Sequence, residues 1–153
     1  MLGCWNFIRK KGYKKMRITK DVTLNDMRDF FGGEFPEYHP EEYIKSRLDS
    51  GYIFVAKDDE KVEAIFIYSI WWGNCPFIEL IKVNETCQRQ GIGTQLLDAA
   101  KAEIRSKGFK RLISSTEVIN DMGLAFHEKH EFEPLNSLDL PHGEEKFYKL
   151  ELM

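Results

Sequence analysis

The sequence predicts a single α/β domain built on one mixed sheet, and three observations predict it. From Met16 onward, short runs of β-branched and aromatic residues alternate with stretches whose apolar residues recur at helical spacing. Their order, β-α-α-β-β-β-α-β-α-β-β, is that of a mixed α/β domain around one sheet. The chain has 153 residues, 42% hydrophobic and 13% aromatic, which is one domain's worth of core and far too apolar for disorder.

Each element has its own signal. Met16–Lys20 alternates in polarity and reads as a strand. In Thr23–Phe31, Leu24, Met27, Phe30 and Phe31 fall on one helical face behind a capping Thr23, and Gly32-Gly33 ends the helix. After the loop EFPEYHP, Pro40 stands where first-turn prolines stand, and Tyr43, Ile44 and Leu48 mark a second short helix stopped by Gly51. Tyr52–Lys57 and Val62–Ile70, joined by the polar turn Asp58–Lys61, form a hairpin. WWGNCP breaks the run before the next strand, Phe77–Val83. Residues 91–107 place Ile92, Leu96, Leu97, Ala100 and Ile104 on one stripe, an amphipathic helix ended by Gly108. Arg111–Ser115 is a strand, Asn120–Lys129 a helix, and β-type segments around Phe132–Leu138 and Lys146–Leu152 close the chain.

Composition and charge narrow the function. Residues 1–15, MLGCWNFIRKKGYKK, hold a local +5, which leaves −8 on the rest of a chain whose net charge is −3. An acidic body argues against a nucleic-acid partner, since phosphate backbones need a positive surface. The basic leader has its charges after its apolar residues, the reverse of a signal peptide. It is also short and glycine-containing for a membrane anchor, so residues 1–15 are expected to be a flexible extension and 16–153 the working domain. No apolar run approaches the roughly 20 residues that cross a bilayer, so no membrane association is expected. Cys4, Cys75 and Cys87 form no CxxC pair, which points to reduced thiols in the cytoplasm.

The segment that carries chemistry is VNETCQRQGIGTQLL, Val83 to Leu97. A strand ends, and Gln88-Arg89-Gln90-Gly91-Ile92-Gly93 runs directly into a helix. The first turn of a helix offers unpaired N–H groups and the positive end of its dipole. Glycines at 91 and 93 let a ligand approach the backbone, and Arg89 can add a charge-assisted contact. The pattern is an anion cradle suited to a phosphate or pyrophosphate. It is not a P-loop, because no Lys-Ser/Thr pair follows the glycines, and not a dinucleotide fingerprint, because Leu96 stands where a third glycine is required. A packing role for the two glycines remains the alternative.

In its context this stretch resembles the acetyl-CoA signature of the GNAT N-acetyltransferase superfamily, Gln/Arg-x-x-Gly-x-Gly/Ala between a strand ending in Val and a helix beginning GIGxxLL. MRITKDVTLNDM looks like that family's first strand and helix start, and NDMGLAFHEKHEF (120–132) like its fourth helix and following strand. The resemblance covers the chain from Met16. It implies a GNAT-like fold, a twisted mixed sheet flanked by about four helices whose fourth and fifth strands splay apart. It also implies acetyl-CoA as co-substrate, the pantetheine arm pairing with the backbone of Ile81, Lys82 and Val83. The pyrophosphate would rest on Gln88, Arg89, Gln90, Gly91, Ile92, Gly93 and Thr94, with Asn120 facing the cofactor; a helix cap is an equally good reading of Asn120.

Acetyl transfer to an amine needs a base for the amine, donors for the oxyanion and a proton for the leaving thiolate. Glu79 is the candidate base, a carboxylate on the same strand face as Phe77, Ile81 and Val83, where apolar neighbours should raise its pKa. His127 stands where much of the family has a tyrosine acid, and Glu131 where the family usually has glycine. Tyr148 is a second hydroxyl candidate. His127 and His130 are spaced i,i+3 without a third ligand, so no metal is expected. Segment 32–40, the pair Trp71-Trp72 and the expected loop SLDLPHGEE (137–145) combine acids with aromatics, which favours a cationic amine on a small molecule or peptide. A homodimer through the last strand or the Trp pair stays open. The competing reading is a non-catalytic acyl-CoA sensor, and a third is a nucleotide-binding protein.

Overall fold

The computed structural model describes residues 16–152; the basic leader lies outside the described residues. The elements run β1 (Arg17–Thr19), α1 (Leu24–Phe30), α2 (Glu41–Ser50), β2 (Ile53–Asp58), β3 (Lys61–Trp71), β4 (Cys75–Val83), α3 (Ile92–Ser106), β5 (Arg111–Glu117), α4 (Asp121–Lys129), β6 (Glu133–Leu140) and β7 (Gly143–Glu151). A single 3-10 turn, Glu85–Cys87, lies between β4 and α3. The seven strands are ordered β1-β2-β3-β4-β5-β7-β6 in one sheet. This is the order of elements that the periodicities predict. The chain divides into two compact units, one reaching Phe66 together with Ile81–Ala99, the other Ile67–Leu80 together with the chain from Ala100.

In the first unit, β1 pairs antiparallel with β2 from Arg17↔Lys57 to Thr19↔Val55. Its core holds Met27, Ile44, Val55, Ala56, Phe66, Leu96 and Leu97, all buried. Helix α1 starts as its sequence requires. The Thr23 side chain accepts from the Asp26 amide while Asp26 accepts from the Thr23 amide, a reciprocal capping box. Asp26 also lies 3.8 Å from Lys57 Nζ, an ammonium only 3% exposed that has Glu60 at the same distance.

In the second unit, β4 and β5 run parallel with one registered pair, Phe77↔Ile113. Such a short ladder is what splayed strands leave. By contrast β5 pairs with β7 along its whole length, from Arg111↔Glu151 to Glu117↔Glu145. Tyr68, Ile104, Leu112, Phe132, Tyr148 and Leu152 make this unit's core.

Three expectations change. Residues 137–145 are not a loop: β6 runs to Leu140 and β7 starts at Gly143, a hairpin closed by the pair Leu140↔Gly143. The last strand, β7, lies inside the sheet between β5 and β6, and the edge strands are β1 and β6. The two Trp rings meet edge to face at 5.7 Å between centroids, but they differ in exposure: Trp71 also stacks on Phe77 at 4.0 Å, while Trp72 is 85% exposed.

Candidate active site

The anion loop is built from the buried side outward. Where β4 ends, Asn84 donates its backbone N–H to the Glu63 carbonyl at 2.9 Å and its side-chain amide to Glu63 Oε2 at 2.8 Å. Lys61 Nζ lies 3.2 Å from Glu63 Oε1, and the buried Cys87 thiol donates to Oε2 at 3.5 Å. Burial opposes the charge on Glu63, but the bonds from Asn84, Lys61 and Cys87 outweigh it and hold the carboxyl below its usual range. Burial pushes the Cys87 thiol up, so Cys87 is a packed thiol here.

Beyond this clamp, Gln88 turns back and donates through Nε2 to the Val83 carbonyl at 3.1 Å. Arg89 and Gly91 both take left-handed backbone, φ +62° and +78°. Alternating handedness of this kind turns successive N–H groups toward one concave side. A Cβ at Gly91 would meet nothing within 4 Å, so space is open over the loop. Helix α3 begins at Ile92, and the Gly91 carbonyl takes the Gln95 amide at 3.1 Å. The amides of Ile92 and Gly93 therefore precede the first acceptors their own helix provides. Loop and helix start fit a pyrophosphate.

Next to α1, a cavity of about 580 Å³ is lined by Phe31, Gly32, Gly33, Glu34, Phe35, Pro36 and Lys82. The Lys82 ammonium sits 5.7 Å from the Phe31 ring centroid. So the 32–40 segment, read as acidic and aromatic, shares its cavity with a cation. Burial and the Lys82 charge hold His39 below the usual imidazole range.

In the second unit, Glu79 is half-buried on β4, and burial pushes its carboxyl up to about 7. Alternation puts Glu79 on the face of Phe77, and the pair Phe77↔Ile113 carries that face across to Ile113 and Ser115 of β5. Ser115 is in register with Phe147 of β7, and the rings of Phe77 and Phe147 are 6.3 Å apart.

His127 lies on the other face. Its Nδ1 is 2.6 Å from the Gly123 carbonyl oxygen, which can only accept, so Nδ1 carries the proton. Nε2 then accepts from the Ser114 hydroxyl at 2.7 Å. The ring is 4% exposed and stacks on Tyr148 at 4.1 Å between centroids. Burial lowers its pKa below the usual imidazole value, and the Gly123 bond offsets this only in part. His127 is therefore a neutral, packed imidazole at pH 7. Glu79 and His127, expected to share the chemistry, leave opposite faces of the sheet.

Asn120 caps α4, its Oδ1 accepting from the Gly123 amide at 3.0 Å. Gly123 is needed for packing, because a Cβ there would lie 2.1 Å from Thr116 Oγ1. Among the described residues no group of three or more His, Cys, Asp or Glu is placed to hold a metal ion. None of the helices described is long and apolar enough to cross a membrane.

The sequence profile of the acetyltransferase (GNAT) family matches residues 21–132. The chain belongs to the GNAT acetyltransferase family. No curated protein matches it in sequence. Its fold is that of solved GNAT structures. Ard1 from Thermoplasma volcanium superposes with a TM-score of 0.78 at 17% identity, over 90% of this chain and 98% of that one. The ribosomal-protein-S18-alanine N-acetyltransferase from Escherichia coli gives 0.72 at 20% identity, over 90% and 94%. A chain of the NatC complex bound to Gag peptide and CoA gives 0.75 at 14% identity, over 91% and 99%.

As a GNAT acetyltransferase the chain is an enzyme, and its family uses acetyl-CoA. Three features escaped the sequence reading. Glu63 clamps the turn before α3 from β3, the Lys82 side chain, whose backbone alone was expected to act, lines the cavity by α1, and Ser69 is a buried hydroxyl inside β3. For Ser69 there was a signal: it is the one hydroxyl amino acid without a ring in the apolar run AIFIYSIWW.

Proposed function

We propose that the chain is an N-acetyltransferase that moves an acetyl group from acetyl-CoA to a primary amine of a small molecule or peptide, by direct attack of the amine on the thioester. The observation that carries this reading is Glu79, a half-buried carboxyl near neutral pKa on the strand that runs straight into the anion loop. A base poised near pH 7 can take a proton from an ammonium and still be ionised enough to work.

The chain's own groups divide the work. The backbone of residues 88–94 holds the pyrophosphate, with the helix dipole and Arg89 favouring its charge. The backbone of Ile81, Lys82 and Val83 is assigned to pair with the pantetheine arm, and Asn120, the cap of α4, is assigned to the cofactor as well. Glu79 removes the amine proton, directly or through a water. Acetyl-CoA, when bound, would supply the thioester carbonyl that the amine attacks; the C–N bond forms as the C–S bond breaks, and CoA leaves as a thiolate that takes up a proton and departs as the thiol. His127, neutral and engaged at both nitrogens, is assigned to positioning Tyr148 and the start of α4. Two neighbours support a peptide amine among the acceptors, one named for an alanine of ribosomal protein S18 and the other bound to a peptide and CoA.

Acidic residues Glu34, Glu37, Asp139, Glu144 and Glu145 favour a cationic acceptor by field. Rates that fall with ionic strength across a panel of amines are expected; no preference for cationic amines would remove this part. Thermal shift tests the core. A ligand stabilises by RT ln(1 + [L]/Kd), so acetyl-CoA should raise Tm while ATP and NAD at the same concentration do not. Equal shifts would favour a general nucleotide binder, and no shift with acetyl-CoA would overturn the reading.

A further inference from the structure

Among the described residues, one buried side-chain polar atom has no hydrogen-bond partner, the hydroxyl oxygen of Ser69. Ser69 is 7% exposed and sits in β3, a strand buried from Val62 through Ser69. A hydroxyl in that position destabilises the fold unless something outside the chain completes its bonding.

Its surroundings say what that something is. Strand alternation puts Ser69 on the same face of β3 as Trp71. The Trp71 ring lies flat on Phe77, 20° from parallel and 4.0 Å between centroids, and Phe77 contacts Phe147. Phe77 in turn alternates with Glu79 along β4. The orphan hydroxyl therefore shares one sheet face with three aromatic rings and with the carboxyl read above as the base. The same hairpin departs from its local preference at the tip. Trp72 and Gly73 both take positive φ, +52° and +74°, the geometry of a turn that favours Asn-Gly, yet a tryptophan occupies the first position and is 85% exposed.

We propose that Ser69, Trp71, Phe77 and Phe147 form the acceptor subsite beside Glu79, and that it takes a primary amine borne on an aromatic or apolar body. The Ser69 hydroxyl hydrogen-bonds the amine nitrogen and so aims it at Glu79, and the rings take the body attached to it. Ser69 is then a binding residue that the fold carries at a cost to its own stability. This rests on the reading of Glu79 as base.

The test compares 2-phenylethylamine with spermidine as acceptors, following CoA release in the wild type, Ser69→Ala and Trp71→Leu, with acetyl-CoA affinity and Tm measured on each. The wild type should prefer 2-phenylethylamine by tenfold or more in kcat/KM. Ser69→Ala should lower that kcat/KM about tenfold, leave the KM for acetyl-CoA unchanged and raise Tm, because it deletes the orphan hydroxyl. Trp71→Leu should narrow the preference between the two amines. A Ser69→Ala protein with a lower Tm, or with unchanged kcat/KM, overturns the proposal, as does a preference for spermidine or no turnover of 2-phenylethylamine. If these failures come with acetyl-CoA binding and Glu79 dependence intact, the acceptor subsite alone is wrong. If acetyl-CoA does not bind, the reading beneath it fails as well.

Discussion

Glu131 closes α4 in a conformation that glycine adopts more easily. Its φ is +62°, its amide donates to Glu128, and the Phe132 amide donates to the His127 carbonyl at 3.0 Å. These are the two bonds of a Schellman ending, completed by contact of the Phe132 ring with His127, 5.0 Å between centroids. The sequence departs from its family at this residue while the backbone keeps the geometry a glycine would have. Glu131→Gly should therefore stabilise the protein by about 0.5–1 kcal/mol, read as a higher denaturation midpoint at unchanged slope. An unchanged or lower midpoint would mean that the Glu131 side chain makes up for the strain.

His127 sets a second expectation at this scale. Burial lowers its folded pKa, so the folded protein keeps the ring neutral while the unfolded chain takes a proton near 6.5. The unfolded state binds more protons below that value, so the stability contributed is complete above pH 6.5 and is lost as pH falls below it. His127→Phe should cost about 2 kcal/mol at pH 8 by stranding the Ser114 hydroxyl. The gap in Tm between the two proteins should shrink toward pH 5. A gap independent of pH would mean that the imidazole is not held neutral.

At the scale of elements, the sequence was legible wherever one face of an element is buried. Helix α3 buries Ile92, Leu96, Leu97, Ala100 and Ile104, the stripe its spacing predicts. Strand β5 alternates buried and less buried residues along its length. The strands β6 and β7 match the two predicted β-type segments, but the connection between them is shorter than the predicted loop 137–145, because β6 is exposed at nearly every position. A strand with no buried face carries no period-two pattern to read. Its turn, Pro141-His142, also lacks the Asn-Gly signal of tight hairpins. The sharp turn into α3 was legible through its glycines, whereas the left-handed Arg89 and the Glu63 clamp depend on contacts distant in sequence. Asn120 was read both as a ligand contact and as a cap, and the cap is visible.

The packing of α4 on β5 also belongs to this scale. With Thr116 Oγ1 only 2.1 Å from the position of a Gly123 Cβ, Gly123→Ala should destabilise by about 1–3 kcal/mol through a forced shift of the helix. Adding Thr116→Ala removes that oxygen but leaves the Thr116 Cβ position, 2.9 Å away, occupied, so the double variant should recover part of the loss. Strictly additive losses would show that the two groups do not meet.

For the whole molecule, the charge split acquires a place. The phosphate site proposed for the acidic body lies on a loop that would attract through backbone amides and Arg89, so a net charge of −3 is no obstacle to an anionic co-substrate. Family membership settles the class of reaction, and Glu79 is the residue we propose as its base in this chain. The most direct measurement is the pH dependence of kcat/KM for CoA release with 2-phenylethylamine, in the wild type and in Glu79→Gln. With the Glu79 carboxyl at about 7, the wild-type rate should fall on the acid side with that midpoint as the base takes up its proton. Glu79→Gln should lose about 10²–10⁴-fold in rate and lose the acid limb with it. A Glu79→Gln enzyme that keeps its rate, or that keeps the same acid limb at reduced rate, would contradict the account.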